Sequence, residues 1–205
     1  MSPLSSINHF YDEKDEKIVT YGSLPHWSQR QKMYAITFWL GDAIPTDVIE
    51  KYMFECDQCS TDELLKGQKE IMLHNKMMEY MDACHGECLL KYSATRVIIE
   101  EALGYLSKHK CNIHAYVIMP NHVHILLDAF HGETVQSIMH TLKRYTSLKI
   151  NKLLHRKGKL WQREYFDRII RSESHYVHAI TYIRNNPRYC LPGTFSLWIN
   201  PNISL

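Results

Sequence analysis

The 205-residue chain is 45% apolar and 22% charged, ordinary globular proportions that exclude a disordered protein. No stretch approaches the ~20 apolar residues of a membrane-spanning helix, and the opening Met1-Ser-Pro-Leu-Ser-Ser lacks the basic and apolar segments of a secretion signal. A cytoplasmic protein with reduced cysteines and no membrane partner is expected. The net charge of +2 hides an asymmetry: residues 140–171 carry ten Lys and Arg against two acidic side chains, whereas residues 1–139 carry twelve against nineteen. Positive potential gathered on one part of a surface suits a polyanion.

Residues 1–30 are polar with little periodicity and read as a loosely structured lead-in. Tyr34–Leu40, β-branched and aromatic and followed by Gly41-Asp42, reads as a first strand. Residues 46–88 turn helical and Met-rich, predicting two inserted helices whose Met72, Met77, Met78 and Met81 fill core. Ala94–Lys108 spaces Val97, Ile98, Ala102, Leu103 and Leu106 for one buried helix face. Ile113–Met119 and His122–Asp128, joined by Pro120-Asn121, predict an antiparallel hairpin. Glu133–Leu154 predicts a long helix and Trp161–Ile170 a fourth strand. Ser172-Glu-Ser174 offers N-cap chemistry for a last helix that stops at Pro187. Residues 191–205 form a tail. The order β-α-β-β-α-β-α predicts an α+β fold: a ferredoxin-like split βαβ antiparallel sheet with helices on one face and a helical insertion after the first strand.

His122 and His124 stand two apart on a strand, so both imidazoles project to the same side while Val123 points away. Such a pair can pinch one divalent cation. By itself the pattern is weak in a chain with thirteen histidines, and His175 and His178 imitate a ligand pair at helical spacing. The context is more specific. Met119-Pro-Asn-His-Val-His-Ile-Leu-Leu127, then the basic helix, then Leu160-Trp-Gln-Arg-Glu-Tyr-Phe-Asp-Arg168 and Ala179-Ile-Thr-Tyr-Ile-Arg-Asn-Asn-Pro187, together resemble the REP-associated tyrosine transposases of the single-tyrosine HUH (IS200-like) family. The resemblance covers roughly residues 30–190, and its specific motifs lie within 113–187.

That resemblance implies a transposase domain over residues 31–190. In such enzymes a histidine pair holds a divalent metal and a tyrosine on a late helix attacks a single-stranded DNA phosphodiester, leaving a 5′-phosphotyrosine and a free 3′ hydroxyl. Tyr182 matches the nucleophile and Asn186 the position of a third, amide-type ligand beside His122 and His124. Positions i and i+4 share one helix face, although Asn186 precedes proline and is biased away from the helical well. Imidazole and amide ligands with a hard phosphate substrate favour Mg²⁺ or Mn²⁺. Tyr145 and Tyr165 are the competing nucleophiles. Asn121 is assigned to the turn, with a role at the metal as the alternative.

The expected DNA contacts are Lys143, Arg144, Lys149, Lys152, Arg156, Lys159, Trp161 and Arg163, cations that track phosphates with aromatic rings among them on which bases stack. For Trp161 and Arg163 a strand packed on the core is an equal alternative. The expected partner is single-stranded or hairpin DNA; a homodimer with shared sites and a monomer both remain open. Departures after Pro187, which reads Arg-Tyr-Cys-Leu-Pro-Gly, bear on target choice. Cys56-Asp-Gln-Cys59 with Cys84-His-Gly-Glu-Cys88 would supply a zinc site, but the second spacing is one residue off, and free thiols are favoured. The expected function is metal-dependent single-stranded DNA nicking and strand transfer at hairpin-forming repeats. The alternatives are a domesticated hairpin-binding protein without catalysis and a metal-assisted hydrolase using water.

Overall fold

The computed structural model describes residues 9–16, 18–21, 25–58 and 66–203. In chain order its elements are β1 (Ile18–Tyr21), β2 (Pro25–Ser28), β3 (Met33–Trp39), α1 (Thr46–Gln58), α2 (Lys66–Asp82), α3 (Ser93–His109), β4 (Cys111–Ile118), β5 (His122–Ala129), α4 (Val135–Leu153), β6 (Phe166–Ile169), α5 (Glu173–Asn185) and β7 (Ser196–Ile199). The two most apolar strands, β3 and β5, pair antiparallel along their length, from Met33 opposite Asp128 to Trp39 opposite His122. β4 and β6 add on either side and β7 closes the far edge, giving the antiparallel order β6-β3-β5-β4-β7. The α+β antiparallel fold is as expected.

Strand alternation sorts side chains into two layers. Tyr34, Ile36 and Phe38 of β3, with Val123, Ile125 and Leu127 of β5, face α3 and α4. Ile99, Leu103 and Leu106 of α3 and Ile138, Leu142 and Ile150 of α4 are buried there, each contributing about 2 kcal/mol by leaving water. Met33, Ala115, Val117 and Leu126 face the other way, onto Ala179, Ile180 and Ile183 of α5. Helices on one face therefore hold for α3 and α4 and are corrected for α5. All eight residues of β5 are buried, and a strand buried on both sides needs a second covering layer.

α1 and α2 form the expected insertion. They pack through Tyr52 against Tyr80, with ring centroids 6.5 Å apart, and through Lys76 with Glu55 at 2.6 Å. Met77, Met78 and Met81 lie in the main core as filler, while Met72 is exposed. On the sheet side, His74 of α2 stands edge-on to Phe166 at 4.9 Å, and Phe166 contacts Trp39 at 5.5 Å. Trp39 and Phe166 lie on the α5 side of the sheet, so α2 and α5 share that face. The chain leaves the insertion through Gly86, whose φ of +86° and whose virtual Cβ 2.7 Å from the Asp42 carbonyl oxygen exclude a side chain.

Three expectations change at the ends. The lead-in, where described, contains the β1–β2 hairpin rather than loose chain, and its residues 1–8 lie outside the described residues. The tail supplies β7, with Trp198 stacked on Tyr116 at 5.6 Å. The fourth strand shrinks to β6, and Trp161 makes only an isolated bridge to Leu40. These strands are four residues long, too short for alternation to stand out from sequence.

Candidate active site

The Pro120-Asn121 turn closes the central hairpin, with the Met119 amide donating to the His122 carbonyl at 2.8 Å. Asn121 is fully buried and does more than turn the chain. Its Nδ2 donates to the carbonyls of Met81 at 3.1 Å and His85 at 3.2 Å, tying the hairpin to the insertion. Its Oδ1 is left to accept from His122 Nδ1–H at 2.7 Å. That bond sets the tautomer, so Nε2 of His122 carries a lone pair. Thr37 lies opposite His124 in the β3–β5 register and its Oγ1 is 2.8 Å from His124 Nδ1.

The two Nε2 atoms face each other at 3.1 Å. Without a cation, His124 donates its Nε2 proton to His122 and accepts from the Thr37 hydroxyl. With the proton moved to Nδ1, Thr37 becomes the acceptor and both Nε2 lone pairs are free. Burial pushes the His122 imidazole down to about 3 and His124 well below its ordinary value, so both rings are neutral.

α5 brings up the remaining groups. The Ser172 hydroxyl caps it by accepting from the His175 amide at 3.2 Å, as the cap chemistry predicted. Tyr182 packs edge-on against His124, with centroids 5.1 Å apart at 84°. Burial raises its phenol to about 12, the Asp82 charge adds to this, and a hydrogen bond from Asn186 opposes it. Asn186 departs from the expected pre-proline bias: at φ −54°, ψ −45° it stays helical and opens a 3-10 turn, where Pro187 needs no donor. Its Oδ1 is buried without a hydrogen-bond partner. Asp82, at the end of α2, places Oδ1 3.8 Å from His122 Nε2.

These residues fit a divalent cation. Donors about 2.1 Å from an ion at adjacent octahedral corners sit about 3.0 Å apart, close to the observed imidazole separation. The orphaned Asn186 oxygen is the kind of buried polar atom that a ligand would satisfy. Among the described residues no three His, Cys, Asp or Glu side chains form a metal cluster, so an amide or a substrate oxygen has to complete the set.

The competing tyrosines lie elsewhere. Tyr165 is buried against His26, centroids 4.4 Å apart, and Tyr145 sits on α4 under Lys149. His175 is tied to the N-terminus of α5, accepting from the Arg171 amide at 3.2 Å. Cys56 and Cys88 are buried thiols, Cys88 donating to the Cys84 carbonyl at 3.0 Å; Cys59 lies outside the described residues.

The expected DNA contacts divide. Trp161 is a core residue, its indole N–H donating to Thr146 at 2.9 Å, which removes it from base stacking. Lys143 is likewise structural: its Nζ donates to the Arg163 carbonyl at 2.9 Å, and burial lowers it to about 8. Arg144 and Lys149 are exposed on α4, across the sheet from the histidines. Lys152, Lys159 and Arg163 are exposed near the end of β3, where Leu160 accepts from the Gly41 amide at 2.8 Å and Trp39 pairs with His122. Arg156 pairs with Glu87 at 3.1 Å.

Sequence reasoning missed three residues that hold or flank the site. Asn121 was visible in the motif but read as a turn former. Thr37 is found only through strand register, and Asp82 carries no sequence signal. Among the described residues no helix is long and apolar enough to cross a membrane.

No curated protein matches the chain. Among solved structures it is similar to a REP-associated tyrosine transposase bound to a REP hairpin, at 15% identity, covering 82% of this chain and 73% of that one with a TM-score of 0.48. It is also similar to a candidate transposase from Deinococcus radiodurans, at 16% identity, covering 78% and 93% with a TM-score of 0.36. The family model for IS200-like transposases matches residues 88–186. That segment holds His122, His124, Tyr182 and Asn186, and over it the chain is similar to the IS200-like transposases.

Proposed function

We propose that this protein nicks and rejoins single-stranded DNA at hairpin-forming repeats, with Tyr182 as nucleophile and a Mg²⁺ or Mn²⁺ ion held by His122, His124 and Asn186. The observation that carries the reading is the meeting of α5 with the hairpin: the Tyr182 ring lies 5.1 Å from His124, whose Nε2 faces that of His122 at 3.1 Å, and Asn186, one turn beyond Tyr182, has a buried oxygen without a partner. The ion, when bound, supplies positive charge that offsets the charge developing on the phosphate oxygens.

The chain's own residues do the rest. Asn121 and Thr37 orient the two imidazoles through Nδ1, leaving Nε2 for the ion. α5 holds Tyr182 beside them, and Asn186 donates to the phenolic oxygen. The phenol loses its proton and its oxygen bonds to phosphorus; the bond from phosphorus to the 3′ oxygen breaks, and that oxygen takes up a proton as a 3′ hydroxyl. A 3′ hydroxyl attacking the phosphotyrosine reverses the exchange and restores the phenol, so no nucleotide cofactor is consumed.

The test is a labelled DNA hairpin with single-stranded flanks, incubated with protein and Mn²⁺ and run on a denaturing gel. A covalent adduct lost in Tyr182→Phe is expected. Retarded but uncut DNA would replace the reading with hairpin binding alone, and cleavage surviving Tyr182→Phe would replace it with hydrolysis by water.

A further inference from the structure

We infer that the cleft between α2 and α5 is a pocket for one unstacked nucleobase of the bound strand, next to the scissile phosphate, and that the inserted helices thereby set base preference at the cleavage site. The inference rests on the proposed function and extends it to residues outside the matched family segment. Two clefts, of about 510 Å³ and about 660 Å³, meet at Tyr182, whose ring lines both. A phosphodiester placed at the Tyr182 hydroxyl therefore has a cleft on each side, and the strand must run into them.

The two clefts differ in chemistry. The larger carries Lys91 and Arg188 against Asp82 alone, a net positive lining that suits the phosphate backbone. The smaller balances Asp57 and Asp167 against Lys69 and Arg168, so its lining offers a phosphate no excess of positive charge. Its surfaces are those of a base-binding site. Phe166 lies in its lining, held by His74 edge-on at 4.9 Å and by Trp39 at 5.5 Å, with Leu73 adding apolar surface. Asn75, able to donate and accept, stands among them. A nucleobase has the matching character of flat apolar faces and polar edges. The volume falls within the range of small-ligand pockets and is too small for a duplex. Extruding a base costs least when the strand is already single.

The probe is a pool of DNA hairpins with randomised single-stranded flanks, each carrying one 5-iododeoxyuridine at a chosen flank position, bound in EDTA and irradiated. Crosslinks from one flank position to the peptides bearing His74 or Phe166 are expected. Asn75 is exposed on α2, so Asn75→Trp fills the cleft without disturbing core packing, and an unchanged thermal melt checks this. That variant should abolish the crosslink and weaken binding of flanked hairpins about tenfold, with affinity for flankless stems held within about twofold. Crosslinks mapping elsewhere, or equal effects of Asn75→Trp on flanked and flankless DNA, would overturn the pocket. A protein that forms the Tyr182 adduct but shows either result keeps the proposed function and loses the pocket; a wild type that retards no DNA loses both.

Discussion

Two histidine-centred networks, on β2 and on β5, show how the partner of an imidazole decides its role. His26 on β2 faces carboxylates: Asp167 at 2.7 Å from Nδ1 and Glu164 at 3.5 Å from Nε2. Its hydrogen bond to Asp167 raises its pKa against the cost of burial. His122 and His124 have an amide and a hydroxyl at Nδ1 instead, and burial drives both down. One network favours a protonated imidazole that joins the β1–β2 hairpin to β6. The other makes two neutral rings whose Nε2 atoms face each other at 3.1 Å. Burial is shared; the charge of the partner separates an ion pair from a neutral imidazole pair.

Removing the neutral partner should break the contrast most severely. Asn121→Ala takes away the acceptor for His122 Nδ1–H and leaves the Met81 and His85 carbonyls without their donor. Mn²⁺ affinity by calorimetry should fall about 10–100-fold, and the apo protein should lose about 2 kcal/mol of stability. Unchanged Mn²⁺ affinity would show that the tautomer is not set through Asn121.

The charged network gives a smaller, pH-dependent effect. Because the folded pKa of His26 lies above 6.5, its stabilisation is complete below that value and is lost as pH rises through the folded pKa. Asp167 is itself pushed up by burial, so the pair is worth less than its short contact suggests. Asp167→Asn gives His26 an amide partner resembling that of His122. It should cost about 1–2 kcal/mol near pH 6 and progressively less toward about pH 9, and the His26 proton resonances should titrate at lower pH than in the wild type. A stability difference that grows with pH would refute the clamp.

Thr37→Val sharpens the comparison on the other side. It keeps the shape of the strand but removes the acceptor that His124 Nδ1–H needs when Nε2 binds an ion. Mn²⁺ affinity should fall about tenfold, and Thr37→Ser should restore it. Equal affinity in Thr37→Val would mean that His124 needs no hydroxyl partner.

Much of this was legible in the sequence because local chemistry matched local structure. The His122-Val-His124 alternation, the Pro-Asn turn and the Ser172 cap depend on neighbours within a few residues, and each was read correctly. The Met-rich helices were placed as core filler on the same grounds. What was not legible depends on register and packing. Thr37 reaches His124 across 87 positions, Asn121 reaches Met81 across 40, and Trp161 turns inward to Thr146. A basic window reads the same whether its lysines track phosphates or, like Lys143, end on carbonyl oxygens.

That ambiguity leads to the smallest expected effect, on the basic residues that remain exposed. The structure separates them into Arg144 and Lys149 on the outer side of α4, and Lys152, Lys157 and Lys159 toward the sheet end where β3 stops and β5 begins. On the proposed function, a strand that continues beyond the clefts past the end of β3 meets the second group with its phosphates and not the first. Each lost contact on single-stranded DNA lowers the dependence of log K on log salt by about 0.7. Replacing Lys152, Lys157 and Lys159 with Ala should therefore flatten the slope by about 2 units, and replacing Arg144 and Lys149 should leave it unchanged. The reverse pattern would put the DNA across α4, on the face away from the histidines, and would require the stem rather than the cleaved strand to supply most of the electrostatic affinity.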